Sequence, residues 1–186
     1  MKEEIRLIGI DDAPFDKFSE KECLVVGTIY RGGNYMDGLL STKVKIDGDD
    51  ATKKVAAMIN KCKFKKQLRC IMLDGIALAG FNVIDINELH RKTRMPVIVI
   101  MRKYPRIGEM EKALHKLKMG NKMELIKKAG EIHKAAGLHI QVCGINVSKA
   151  EQMIKLSKTH SNIPEPLRIA HIIASGIKEG QSRGRA

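Results

Sequence analysis

Apolar and polar positions run along this chain in blocks whose period changes from one block to the next. Residues 7–10, Leu-Ile-Gly-Ile, form a short apolar run that stops on two adjacent carboxylates, Asp11 and Asp12, with Pro14 close behind. This predicts a strand ending at a charged edge. The stretch "ECLVVGTIYRGGNYMDGLLSTKVKID" predicts a long hairpin: an apolar run over 24–30, a Gly32-Gly33-Asn34 turn, then an alternating strand over 39–46. A helix follows, because Asp47, Asp49 or Asp50 can cap it and Val55, Met58, Ile59 and Cys62 recur at helical spacing. From Leu68 the period changes again. "LRCIMLDG" and "MPVIVIMRKY" are nearly continuous apolar runs, as expected of strands buried on both faces, and "VIDINELHRKT" between them reads as a crossover helix. Together they predict a right-handed parallel βαβ unit. Helices are expected over 108–119 and 122–136, then a strand "LHIQVCGI", a helix over 148–158 and a last helix from Pro164.

That chain order predicts an α/β fold in one domain spanning residues 1–186. Its mixed sheet combines an antiparallel hairpin with parallel βαβ units and is flanked by helices, the order of a ribonuclease H-like architecture. Composition agrees with a folded chain, at 44% hydrophobic and 30% charged residues. No apolar run is long enough to span a bilayer and "MKEEIRLIGIDD" lacks the apolar core of a secretory signal, so no membrane partner and a cytoplasmic location are expected. Cys23, Cys62, Cys70 and Cys143 show no C-x-x-C spacing and read as reduced thiols rather than zinc ligands. Charge changes the picture more. The net charge is +13, with local clusters at "KCKFKK", "HRKTR", "MRKYPR" and the closing "SRGRA". Such an excess favours DNA or RNA as partner through counterion release, while a general lysine-rich surface is the alternative. Aromatics are too few for a stacking platform, so any grip on nucleic acid would be mainly electrostatic. In the tail, Arg183 and Arg185 can fold back onto a bound phosphate or onto Asp11 and Asp12; a frayed basic tail is the other reading.

The candidate chemistry lies in the carboxylates. Asp11 closes the first strand and Asp74 closes "CIMLDG", and open α/β sheets carry their sites at the carboxyl ends of strands. Two such acids from neighbouring strands make a hard-oxygen site for Mg2+ or Mn2+, which can activate water and stabilise charge on a phosphate. Asp12, one residue on, points to the opposite face. The competing reading is that both aspartates simply terminate strands, common turn chemistry. His171, among apolar neighbours in "IAHIIASGI", is either a half-buried core histidine or a base. The histidines at 90, 115, 133, 139 and 160 have no paired spacing.

The segments "IGIDDAPF", "VVGTIYRGG", "LDGIALAGFNVID", "PVIVIMRKYP", "IPEPLRIAHIIASGI" and "SRGRA" resemble, nearly end to end, the archaeal domain of unknown function 99 family (UPF0215-type), relatives of endonuclease V. Endonuclease V has a ribonuclease H-like fold and is a metal-dependent enzyme that nicks DNA or RNA near deaminated adenine. The resemblance implies that Asp11 and Asp74 are metal-binding and catalytic and that Lys103 meets a phosphate, unless it is a solvent-facing lysine at a strand end. Glu165, in "IPEPLRIAH", is either a ligand or an acid favouring the helix dipole. The departures are equally specific. Endonuclease V carries a P-Y-I-P wedge and a catalytic glutamate on its first helix, whereas this chain has "KIDGDDATKKVAA", so Asp47, Asp49 or Asp50 must stand in, with Asp49 taken as third metal ligand. The later G-H-R-V motif reads "GINV", which puts Ile145 in the place of a histidine with Asn146 after it. The expected function is that of an endonuclease V-like, nucleic-acid-binding protein with a divalent-metal acidic site, a candidate metal-dependent endonuclease. The alternatives are a non-catalytic nucleic-acid-binding module and a small-molecule or protein-interaction domain.

Overall fold

A computed structural model describes residues 4–182. One seven-stranded sheet organises the chain. Strands β1 (Arg6–Asp12), β2 (Glu22–Arg31) and β3 (Tyr35–Lys45) form an antiparallel meander. Helix α1 (Ala51–Asn60) then crosses to β4 (Leu68–Asp74), which lies parallel to β1 on its other side. A two-stranded hairpin, β5 (Ala77–Leu78) and β6 (Asn82–Val83), and helix α2 (Ile86–Thr93) lead to β7 (Val97–Met101), parallel to β4. Helices α3 (Ile107–Lys116) and α4 (Lys122–Lys128) follow, then the hairpin β8 (His133–Ala135) and β9 (Leu138–Cys143), then α5 (Val147–Ser157) and α6 (Glu165–Glu179). The spatial order of strands is β3-β2-β1-β4-β7-β9-β8. It is the ribonuclease H-like mixed sheet that the pattern predicts.

The central strands read as apolar runs because both of their faces are covered. Ile8 and Ile10 of β1 and Ile71 and Leu73 of β4 point into a core shared with α1 and α2, while Leu7, Cys70 and Met72 point into a second core with α5 and the start of α6. Each face follows the period of two.

Two elements differ from the pattern. The helix expected over 122–136 stops at Lys128, because Gly130 takes a φ of 87°, and residues 133–135 become the edge strand β8. Ala136 and Gly137, at φ of 50° and 77°, supply the two left-handed residues of a tight hairpin turn, and β9 consequently enters antiparallel to β7. The third strand also begins at Tyr35 rather than Leu39; its alternation is weak there because β3 is a solvated sheet edge.

Helix α6 crosses β1 at unusually short range, and Gly9 permits it. A Cβ on Gly9 would stand 2.3 Å from the carbonyl carbon of Pro166, well inside any tolerable contact. The Pro166 carbonyl oxygen accepts a hydrogen bond of 2.5 Å from Thr28 Oγ1 on β2. The prolines of "IPEP" set the φ of this helix start. Docked this way, α6 carries His171 along the face of β1 toward its carboxyl end.

Candidate metal centre

The register of the sheet brings two acids together. Ile10 pairs with Leu73 across the parallel β1–β4 ladder, so the next step sets Asp11 beside Asp74 at the carboxyl ends of both strands. They share a face, because Leu7 and Gly9 precede Asp11, and Cys70 and Met72 precede Asp74, at intervals of two. Asp11, Asp12 and Asp74 line an open cavity of about 540 Å³, together with Ala13, Pro14, Phe15, Arg102 and His171.

Asp11 is buried and held from two sides. Its Oδ1 accepts the backbone N–H of Asp12 at 2.9 Å and its Oδ2 lies 2.9 Å from Nδ1 of His171. Asp74 accepts a 3.3 Å hydrogen bond from the Arg102 guanidinium. Burial, reinforced by the Asp11 charge, pushes the Asp74 carboxyl up to about 6, although Arg102 and His171 act against it. Asp12 is raised to about 6 by the same two causes in the same order. Among the described residues, three carboxylates thus crowd one cavity against a single guanidinium and one imidazole.

Asp12 has a second duty. Its Oδ2 accepts the backbone N–H of Ala79 at 2.9 Å, at the turn of the β5–β6 hairpin, and Cys23 Sγ lies 4.0 Å from the same oxygen. This anchors the hairpin against the opposite face of β1. All four cysteines are free thiols.

The other acids taken from the sequence are engaged elsewhere. Asp47 accepts the Phe81 backbone N–H at 2.7 Å and fixes the same hairpin from its far side. Asp50 accepts from Lys45 N and from Asn82 Nδ2, and Asn82 Oδ1 in turn accepts the first N–H of α1. Asp49, expected as third ligand, is exposed and paired with the buried Lys122 ammonium at 3.1 Å. That ammonium also donates to the carbonyls of Asp47, Gly48 and Phe81. None of these three aspartates lines the Asp11–Asp74 cavity; Asp50 stands at the N-cap of α1 without the side-chain cap bond the sequence suggested, and the segment is consumed in holding Asn82, the β5–β6 hairpin and Lys122. Asn146 caps α5, accepting Lys149 N at 2.9 Å. Glu165 stands in the first turn of α6, where burial raises its carboxyl but hydrogen bonds from Arg168 outweigh burial and hold it low. Lys103 is exposed beyond β7, and its neighbour Arg102, which the sequence offered only as part of a basic cluster, is the residue on Asp74. Arg183 and Arg185 lie outside the described residues. The signal for Arg102 was its place directly after a strand ending beside Asp74.

Among the described residues, no three His, Cys, Asp or Glu side chains are already gathered as ligands for a metal ion. A divalent cation of the Mg2+ type nevertheless suits this donor set, since it commonly takes one or two carboxylates and completes its shell with water and substrate phosphate. The unmatched negative charge around Asp74 and Asp12 is the condition that such a cation relieves.

The comparisons with known proteins point the same way as the motifs. A UPF0215 protein of the archaeon Methanothermobacter thermautotrophicus is 48% identical over 191 residues, covering 100% of this chain and 94% of the relative. The crystal structure of a protein of unknown function from Archaeoglobus fulgidus superposes with a TM-score of 0.86 at 42% identity, covering 92% of this chain and 97% of the other. Endonuclease V from Bacillus subtilis shares the fold, with a TM-score of 0.64 at 11% identity over 95% of this chain and 81% of that one. Among the described residues no helix is long and apolar enough to cross a membrane. With the family model Endonuclease dU matching residues 3–178, the chain belongs to the Endonuclease dU family, the UPF0215-type group related to endonuclease V.

Proposed function

We propose that this protein is a divalent-metal-dependent endonuclease that hydrolyses a phosphodiester bond in nucleic acid, with Asp11 and Asp74 as the metal-holding and catalytic carboxylates. The observation that carries the reading is the juxtaposition of these two acids on one face, in an open cavity, with Asp74 pushed up to about 6. The family description, Endonuclease dU, supports deoxyuridine, the product of cytosine deamination, as the nucleoside at which the strand is cut. The net charge of +13 suits a polyanionic substrate.

A Mg2+ or Mn2+ ion held there would supply Lewis acidity at the phosphate and a more acidic bound water. The chain's own residues do the rest. His171 fixes the orientation of Asp11 through the Nδ1 contact, and Arg102 offers its remaining guanidinium N–H groups to a phosphate oxygen while keeping Asp74 in place. Lys103, exposed beside it, meets the incoming strand as a point charge. A second reading, a non-catalytic nucleic-acid-binding module, draws its support from the commitments of Asp47, Asp49 and Asp50, which leave the cavity with fewer acids than the resemblance implied.

The test is strand cleavage. A labelled duplex with one deoxyuridine should be nicked by the full chain in Mn2+ or Mg2+, and Asp74→Asn should lower the rate at least about a hundredfold while duplex binding at low salt persists. Binding by both proteins with cleavage by neither, across several divalent metals, establishes the binding module. Cleavage that survives Asp74→Asn overturns the site.

A further inference from the structure

A dense concentration of positive charge lies at the other end of the sheet. Residues 61–69 and 91–94 together contain eight Lys or Arg and no Asp or Glu. The first segment leads into β4 and the second into β7, so both sit at the amino ends of the parallel strands, opposite Asp11 and Asp74. Seven residues of β4 at about 3.3 Å each put roughly 20 Å between the two ends.

The fold ties these segments into one surface. Asn60 Nδ2 donates to the Lys92 carbonyl at 3.1 Å, and the Lys65 ammonium donates to the Thr93 carbonyl. Burial, and then the nearby Arg94 charge, hold Lys65 below its ordinary value. Around this tie Lys61, Lys63, Lys66, Arg69, Arg91 and Arg94 are all exposed. Two acids beside these segments are already paired, Asp37 with Arg6 and Arg31, and Glu88 with Lys92.

We infer that this basic end is a second nucleic-acid-docking surface, separate from the acid site, that grips the phosphate backbone of a duplex without regard to sequence. A duplex fits better than a single strand, because the aromatic ring of this segment has no face to offer a base. Phe64 is covered by Arg6 at 5.3 Å and by Lys63 at 4.9 Å from its centroid, and packs against Gly38. Fixed cations without a stacking platform recognise charge spacing, which a duplex backbone supplies regularly. The surface would hold one stretch of substrate while another lies across the acid cavity, and it stands whether or not that cavity cleaves.

The measurement is fluorescence anisotropy of the full chain with a labelled DNA duplex lacking deoxyuridine, in EDTA, across a salt series. The variant Lys61→Gln, Lys63→Gln, Lys66→Gln, Arg94→Gln should bind at least tenfold more weakly, with a salt slope lower by two to four, since each phosphate contact contributes about 0.9 to that slope. A control variant removes the same charge from exposed positions elsewhere: Lys43→Gln, Lys112→Gln, Lys134→Gln, Lys149→Gln. It should bind within about threefold of the parent. Equal losses in both variants, or none in either, overturn the inference, as does stronger retention of the parent by anionic lipid vesicles than by duplex. The double variant Lys61→Gln, Lys66→Gln repeats the comparison with half the charge removed should the quadruple variant melt early. Loss of docking with cleavage of short deoxyuridine duplexes retained separates this surface from the acid site; loss of cleavage by Asp74→Asn with docking retained separates it in the other direction.

Discussion

Asp37 and Asp74 are both shielded carboxylates at ends of the same sheet, yet their surroundings treat them in opposite ways. Asp37, at the start of β3, receives Arg6 at 2.7 Å and Arg31 at 3.0 Å. Burial alone would raise its carboxyl, but the two guanidinium groups more than offset burial and hold it below the ordinary carboxylate value. Asp74 faces other acids, and among the described residues only one guanidinium, at 3.3 Å, attends it. Its carboxyl rises to about 6 from the ordinary 3.8. An acid whose work is to hold strands together is matched with cations by the fold. An acid left crowded by its own kind costs stability wherever it ionises, which marks Asp74 as a candidate site residue rather than a structural one.

Breaking the contrast at the acid site has its largest effect on turnover. His171→Ala should lower metal-dependent cleavage about tenfold to a hundredfold, the usual loss when the partner orienting a ligating carboxylate is removed, with the apparent metal affinity falling alongside. A rate within twofold of the parent in a metal titration would show that Asp11 needs no such support. The next effect is on folding. Asp37→Ala leaves Arg6 and Arg31 without their shared acceptor and should destabilise the protein by about 1–3 kcal/mol in urea melts; a loss below about 0.5 kcal/mol would make that network ornamental.

The smallest effect sharpens the comparison by its sign. Asp12 and Asp74 keep their protons to higher pH when folded than when unfolded, so in the metal-free protein their contribution is most favourable below about pH 4 and is lost as pH rises through about 6. Asp37 has the opposite slope, stabilising above the ordinary carboxylate value and losing that contribution as pH falls. Asp74→Asn should therefore raise stability at pH 7.5 in EDTA by about 1 kcal/mol, with the difference closing near pH 4. Saturating Mg2+ should reverse the ranking by stabilising the parent more than the variant. Thermal melts at the two pH values, with and without Mg2+, read all of this; a variant less stable than the parent at pH 7.5 in EDTA would contradict the crowding of the three acids.

Much of this architecture was legible in the residues because it rests on local rules. Apolar runs of strand length with a helical period between them specify β1, β4, β7 and α2, and alternation alone places Asp11 and Asp12 on opposite faces of β1. The exceptions share one origin. Residues 133–135 have no strand signature, and they pair only because β9 offers an edge and because Ala136 and Gly137 accept left-handed backbone. A three-residue edge strand takes its stability from its partner, which no local period records.

The same division runs through the site. The sequence by itself determined that Asp11 and Asp74 end apolar strands and that cations cluster in a few short segments. Only the tertiary structure decided which side chains share the cavity with those acids. His171 arrives there because Gly9 lets α6 lie directly on β1, and Arg102 arrives because β7 runs parallel beside β4. Asp47, Asp49 and Asp50, equally plausible on the page, are drawn off by Phe81, Lys122 and Asn82. Strand ends and charge runs are properties of neighbours in the chain, whereas a carboxylate's partners are set by close packing between segments distant in the chain, 28 residues apart for Asp74 and Arg102 and 160 for Asp11 and His171.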